Sequence, residues 1–403
     1  FVRLVCLFIG SLVSSFSYCL ISLLFGLCPS SYAQTEATLR SSDAHTMADF
    51  SNTVLAAADA RTQAYVDRFI DPARACTLTS TDAVDTSIMP GFRCKHVGKV
   101  RDTFECQDIV VLITTDRQSA FDRQLTAVPF KGQVLNLTSQ WWFQQTGNMG
   151  TIPYIPNALL ACPHPNVTVA KRCKVFPIEF VMRGYITGTT GTSLWTNYNK
   201  GVRDYCGHIF PDGMLKNQKL DSNKLTPTTK SDEHDELVSA QEVVSREFMS
   251  QECWDKCATY AHLLFAYGQQ TALQHGLILV DTKYEFGLSE AGEVLLIDEV
   301  HTPDSSRYWI AETYSAKIAD GLEPDNIDKE FLRRWYAAQC DPYADAQLPQ
   351  APPALVNELS RRYVMIYETL TGQTLPATTE GGAVEGGDVC ASINTALHAY
   401  FAK

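Results

Sequence analysis

The chain has 403 residues, 45% hydrophobic and 19% charged, which excludes an intrinsically disordered protein and leaves room for two domains or one bilobal unit. A formal net charge of -12 argues against a nucleic-acid partner, because such surfaces need clustered Lys and Arg to displace counterions. Cysteine is frequent, but no Cys-x-x-Cys pair occurs, and Cys253 and Cys257 share a helix face as packing residues do; a reducing compartment follows.

In chain order, Leu4 to Leu27 carry no charge, Arg3 precedes them, and Ser31-Tyr32-Ala33 offers a weak cleavage pattern. Residues 1–46 therefore read either as a targeting segment or as a stretch ahead of an initiator at Met47. The second reading implies a cytoplasmic protein, the first a plastid or other organelle, with membrane contact only if the segment is retained. Residues 47–87 read as a short helix and linker, and the core begins near Ile88. His96 to Phe104 reads as one strand bent at Gly98, followed by a strand from Ile109 to Thr115. Helical spacing of Leu135, Leu137, Trp141, Trp142 and Phe143 predicts a helix over 134–146, and Lys174 to Met182 a further strand. Asn136 and Asn166 head glycosylation sequons, which arise often by chance.

The polar stretch Lys224 to Glu236 reads as a solvated connection or a functional lid. Ser239 with Glu242 forms a capping box for a long helix over 240–274, stopped by Gly276. Two amphipathic helices follow, over 327–339 and 354–370, the second closed by Gly372. Residues 373–403, Gly-rich and acidic from Thr378 to Asp388, read as a mobile tail. Strands come first and helices gather later, which favours α+β over a doubly wound sheet.

The most informative segment is Leu277 to Trp309, where Asp281, Lys283, Glu285, Asp298, Glu299, Asp304 and Arg307 interrupt what otherwise reads as buried strand. A turn at Gly287 to Gly292 makes it a hairpin. Alternation puts Asp281, Lys283 and Glu285 on one face, and a turn centred near Ala291 sets Glu285 opposite Asp298 or one residue away. Burying either acid unpaired would cost several kcal/mol, roughly the penalty of an uncompensated ion. The pair suits Mg²⁺, which favours one or two carboxylates together with phosphate oxygens, although a surface hairpin neutralised by Lys283 is the plainer alternative. Gly98 with Lys99 and Arg101 is compatible with phosphate binding, the glycine allowing close backbone approach. Asp116, Ser119 and Asp122 stand where a strand meets a loop and suit either a polar ligand or local turns.

Taken together, Gly98-Lys99-Val100-Arg101-Asp102, Asp116 to Asp122, Arg183-Gly184-Tyr185-Ile186-Thr187-Gly188, Leu225 to Lys230, Asp281 to Gly287, Asp298-Glu299-Val300 and Thr302 to Arg307 closely resemble the SAICAR synthetase family. The resemblance runs from about Gly91 to Gly372. It implies a two-lobed α+β fold related to kinase and ATP-grasp architectures, with an antiparallel N-terminal ATP-binding lobe over 88–182. A mixed C-terminal lobe, over 183–372, would hold substrate and metal. It also implies ATP-dependent joining of L-aspartate to the carboxylate of carboxyaminoimidazole ribonucleotide (CAIR), giving SAICAR, ADP and phosphate.

By the same resemblance, Gly98, Lys99 and Arg101 would hold ATP phosphates, the backbone at Lys174, Val175 and Phe176 adenine, and Glu285 and Asp298 Mg²⁺. Arg183, Thr189 or Ser193, Asp281, Lys283, Ser306 and Arg307 would surround the ribonucleotide. Lys230, His234 and Asp235 would order a loop over the reacting carboxylate, and Asp116, Ser119 and Asp122 would receive the amino acid. Lys283, Lys230 and Asp281 are the catalytic candidates. A small-molecule kinase, or a nucleotide-binding protein without activity, would share the glycine bend and the acids.

Overall fold

The computed structural model describes residues 66–74, 76–121, 123–147, 154–230, 235–376 and 388–403. Residues 1–46, Asp122, His234 and the Gly-rich stretch 377–387 lie outside them, as do the expectations attached to those positions.

The first sheet contains β1 (Cys94–Val97), β2 (Arg101–Glu105) and β3 (Ile109–Thr114). Gly98 does not bend one strand but closes a hairpin: its N–H donates to the Arg101 carbonyl at 3.0 Å, and a Cβ there would collide with that same oxygen. Lys99 consequently sits in the turn, not on a strand beside Arg101. A small hairpin follows, β4 (Arg117–Ala120) with β5 (Arg123–Ala127), and then helix α1 (Lys131–Gly147). Strands β6 (Leu159–His164) and β7 (Val167–Lys171) complete an antiparallel sheet of order β1-β2-β3-β7-β6.

This sheet shows its alternation plainly. Phe104, Val111, Ile113, Val167 and Val169 point to one side, into a core shared with Cys390, Ile393 and Leu397. Arg101, Thr103, Glu105, Val110, Leu112, Thr168 and Ala170 point to the other and line a cleft. The sequon residues Asn136 and Asn166 are both buried: Asn136 accepts from Thr168 and Asn166 donates to the Thr114 carbonyl, so neither is a glycosylation acceptor in the folded protein.

The second sheet is larger. It comprises β8 (Lys174–Val175), β9 (Ile178–Tyr185), β12 (Lys219–Leu225), β13 (Thr228–Thr229), β14 (Leu277–Leu288), β15 (Val294–Ile297) and β16 (Ser306–Ile310), all paired antiparallel. Between β9 and β12 lie helix α2 (Leu194–Asn199) and the two-residue strands β10 (Asp204–Tyr205) and β11 (His208–Ile209). Up to residue 230 the polar stretch Lys224 to Glu236 is not open loop: β12 runs to Leu225 and β13 pairs with β9.

The capping box at Ser239 and Glu242 is present, but the expected long helix is two, α3 (Ala240–Ser245) and α4 (Gln251–Gln274). Glu247 at φ 58 breaks the run and Ser250 recaps it by accepting from the Cys253 N–H. Helix α4 packs Trp254, Cys257, Ala261, Leu264 and Phe265 against β9 and β14. Helices α5 (Ala311–Ala319), α6 (Glu330–Gln339) and α7 (Pro353–Thr371) follow, α7 ending on Gly372 in the left-handed conformation. The stretch read as a mobile tail contains helix α8 (Val389–Phe401), N-capped by Asp388 and packed on the first sheet. Among the described residues no helix is long and apolar enough to cross a membrane.

Candidate active site

The cleft between the two sheets has a volume of about 1140 Å³. One wall is the polar and aliphatic face of the first sheet, with Asn136, Ser139 and Phe143 of α1; the other carries Glu179, Lys283, Glu285, Ile297 and Asp298 from the second. Pairing of Glu285 with Ile297 puts Asp298 one residue beyond it, and both acids line the cleft. Asp298 adopts φ 62, a left-handed backbone for which Asp is one of the more tolerant residues.

Ion pairs knit the walls together. Arg101, from the first sheet, pairs with Asp298 and, through its other terminal nitrogen, with Glu299 at 3.0 Å. Lys283 Nζ lies 2.7 Å from Glu179 Oε1 and 3.1 Å from Glu285 Oε1, while Lys230 pairs with Glu285 Oε2. Burial works against the charge on Lys283, but Glu285 and then Glu179 outweigh it and hold the amine well above the usual lysine range. Burial likewise opposes ionisation of Asp298, yet Arg101, Lys283 and Lys230 pull its carboxyl below the usual value. Lys283 and Asp298 are thus both charged at neutral pH.

A smaller recess of about 160 Å³ adjoins the cleft and shares Glu179, Thr190, Thr192, Asp235, Lys283 and Arg333 with it. Its far end is built around Asp281, which accepts from Arg307 at 2.6 Å and lies 3.8 Å from Arg183. Arg183 is fixed by Thr226 at 2.8 Å and the Thr192 carbonyl at 3.1 Å. Gly188, at φ +103, lets the loop after β9 fold tightly: a Cβ there would collide with the Ser193 side chain and stand 3.3 Å from an Arg307 nitrogen. Ser193 lines the recess with Ser306, whereas Thr189 donates to Glu330 at 2.9 Å and lines a separate small cavity.

Gly98, Lys99, Arg101, Val175, Lys230, Asp235, Lys283, Glu285 and Asp298 thus share the cleft, and Arg183, Ser193, Asp281, Ser306 and Arg307 the recess. Lys174 is exposed on β8 and Phe176 is buried, its N–H donating to the Phe286 carbonyl at 3.0 Å. Asp116 and Ser119 lie off the cleft. The Asp116 carboxylate accepts from the N–H groups of Leu78 and Gly132, both at 2.8 Å, and burial pushes its pKa up to about 6; Ser119 is buried in the β4–β5 hairpin. Their placement ties segments together and does not support reception of an amino acid.

Glu179, Glu330 and Arg333 were not singled out by the sequence, nor was the buried cluster in which Asp304 meets Lys131 at 3.0 Å, Lys329 at 3.9 Å and the Tyr363 hydroxyl at 2.6 Å. Glu179 was the findable one, a lone acid in the apolar run Ile178 to Met182, by the same logic that marks Asp281.

Two antiparallel sheets enclosing a cation-lined cleft, with acids in its wall and an arginine-walled recess beside it, form a two-chamber site suited to an enzyme acting on anionic small molecules. The SAICAR synthetase family model matches residues 95–350. Phosphoribosylaminoimidazole-succinocarboxamide synthase of Legionella pneumophila (strain Paris) is 56% identical over 293 residues, 73% of this chain and 92% of that protein. The chloroplastic synthase of Arabidopsis thaliana is 55% identical over 298 residues, 74% of this chain and 71% of that one. Among solved structures, the SAICAR synthase of Saccharomyces cerevisiae complexed with SAICAR superposes with a TM-score of 0.60 at 28% identity, covering 73% of this chain and 99% of that one. The chain belongs to the SAICAR synthetase family and is an ATP-dependent carbon–nitrogen ligase of purine biosynthesis.

Proposed function

We propose that the cleft and recess together join L-aspartate to the carboxylate of CAIR at the expense of ATP, with the residues in the following roles. The observation that carries the assignment is the position of Lys283, which lines both cavities and so stands where a phosphoryl group would pass from nucleotide to carboxylate. A free carboxylate is a poor acyl donor. Transfer of the ATP γ-phosphoryl group to a carboxylate oxygen makes an acyl phosphate and releases ADP; the aspartate amine then attacks the acyl carbon, loses a proton and expels phosphate. Catalysis of this kind rests on positioning and on neutralising charge.

Gly98, Lys99 and Arg101 approach the triphosphate, and the slot between Val110, Leu112, Ala170 and Ile297, next to β8, takes the base. Arg183 and Arg307 suit the ribonucleotide phosphate because guanidinium groups bind phosphate bidentately, and the loop geometry favours Ser193 over Thr189 beside them. Asp281 orients both arginines, and Lys230 and Lys283 offset charge on the reacting carboxylate.

Glu285 and Asp298 fit Mg²⁺: both are carboxylate oxygen donors lining the same cleft, with Asp298 one residue past the position paired with Glu285. When bound, the ion would supply charge neutralisation and orientation of the phosphates. The compartment we infer is the cytoplasm or, following the chloroplastic relative, a plastid; imaging a tagged full-length protein distinguishes them.

The test supplies ATP, Mg²⁺, CAIR and aspartate and follows SAICAR by absorbance and mass. Product that requires all four sustains the assignment. ADP formed at full rate without aspartate would make the protein a kinase and overturn it.

A further inference from the structure

At the edge of the first sheet, on β1 and β2, three unlike ligand groups converge, none of them among the residues assigned to the ligase reaction. Cys94 Sγ lies 3.3 Å from His96 Nε2, and His96 Nε2 lies 3.3 Å from Glu105 Oε1. All three ligand atoms fall within 4.8 Å of one another, and no other such group of three or more His, Cys, Asp or Glu occurs among the described residues. The sheet dictates this convergence. Cys94 and His96 are two apart on one strand and so share a face, and Cys94 is directly opposite Glu105 on β2. That face is the one turned to the cleft, whose margin Glu105 joins.

We propose that Cys94, His96 and Glu105 form a binding site for a borderline divalent metal, Zn²⁺ above all, separate from the Mg²⁺ carboxylates. A thiolate, an imidazole and a carboxylate are the ligand types Zn²⁺ prefers, at roughly 2.3, 2.0 and 2.0 Å. At tetrahedral angles those bonds set the donors roughly 3.3–3.6 Å apart, so the two 3.3 Å separations already fit, and the Cys94 Sγ to Glu105 Oε1 separation, within 4.8 Å, is the one a bound ion would draw in. Mg²⁺ and Ca²⁺ are disfavoured by the sulfur and nitrogen donors. Three protein ligands leave a fourth position for water or an outside group, and the half-exposed setting of His96, 63% accessible in its side chain, gives an entry path. Arg172, 3.7 Å from Glu105 Oε2, holds the second carboxylate oxygen and leaves Oε1 for the metal. Binding exchanges the thiol proton for the ion, so affinity rises with pH. An ion here would also pin β1 to β2, the two strands that carry the Gly98 turn.

The test is Zn²⁺ titration of the full-length protein against a chromophoric chelator, for the wild type and for Cys94→Ser and His96→Gln, with Co²⁺ as a spectroscopic substitute. The wild type should hold one more equivalent than either variant, or the same equivalent at least about tenfold more tightly, a loss no smaller than that caused by removing a supporting residue around a metal. Its Co²⁺ form should show a sulfur-to-cobalt charge-transfer band that Cys94→Ser abolishes. Neither position is among the residues assigned to the ligase reaction, so turnover of the variants with Mg²⁺ and without added Zn²⁺ should match the wild type and certify their fold. Equal zinc content and affinity in all three proteins, or a cobalt band that survives Cys94→Ser, would overturn the site.

Discussion

Lys283 donates to Glu179 Oε1 at 2.7 Å, from β14 to the neighbouring β9, and the same ammonium reaches Glu285 at 3.1 Å. One cation therefore holds two acids in the wall of the cleft. Lys283→Met should lower kcat by about 10²- to 10³-fold, the range for loss of a group that stabilises developing charge. Steady-state ADP release in the presence of CAIR and aspartate measures it, and unchanged turnover would remove Lys283 from the reacting centre.

Glu285→Gln keeps the size of the side chain and its strand pairing but removes a charge beside Lys230 and Lys283. Turnover should drop by about tenfold or more. More Mg²⁺ should then be needed for half-maximal activity. Near-normal activity with an unaltered Mg²⁺ requirement would take Glu285 out of the metal role.

Gly188→Ala forces a side chain onto φ +103 and against Ser193. The expected cost is about 1–3 kcal/mol, typical of a residue held in a sparsely populated backbone region. Urea denaturation reads that loss, and the KM for CAIR should rise because Ser193 and Arg307 must give way. A variant as stable as the wild type would show that the loop has room the geometry denies.

Asp304 provides a pH-dependent test. Burial alone would raise its pKa, but Lys131 and Lys329 outweigh it and hold the carboxyl below its ordinary 3.8. Its contribution to stability is therefore complete above 3.8 and is lost as pH falls below that value toward the lowered pKa. Asp304→Asn strands the buried Lys131 charge and should cost about 3–5 kcal/mol at neutral pH, the penalty for breaking a buried pair from one side. The acid limb of its stability curve should be correspondingly flatter. Asp328 has the opposite sign: burial raises it from 3.8 to about 6, so its contribution is full below 3.8 and is lost as pH rises through about 6. Denaturation followed by fluorescence from about pH 2 to 8 separates the two, Asp304 acting below 3.8 and Asp328 above it.

Local periodicity made the β14–β15 hairpin legible. Alternation along Asp281, Lys283 and Glu285, with a turn of readable length, fixed the Glu285 register to within one residue. The long helix was misjudged because Val244 and Phe248 keep apolar spacing across the break, and only Ser250, as a second cap, betrays it. Asp116 looked like a ligand because nothing local reveals that its partners are amides 38 and 16 residues away. Helix α8 was obscured by the glycines that precede it, although Cys390, Ile393 and Leu397 carry helical spacing. What short-range pattern can encode was readable, and what depends on distant backbone was not.

The first sheet is one strand layer thick, with α8 seated behind the same β2, β3 and β7 whose front residues line the cleft. The rear buttress and the front lining are therefore mechanically inseparable. A deletion of residues 388–403, far in sequence from the cleft lining, would bare the Phe104, Val111 and Val169 backing and loosen the cleft wall without touching any residue that lines it.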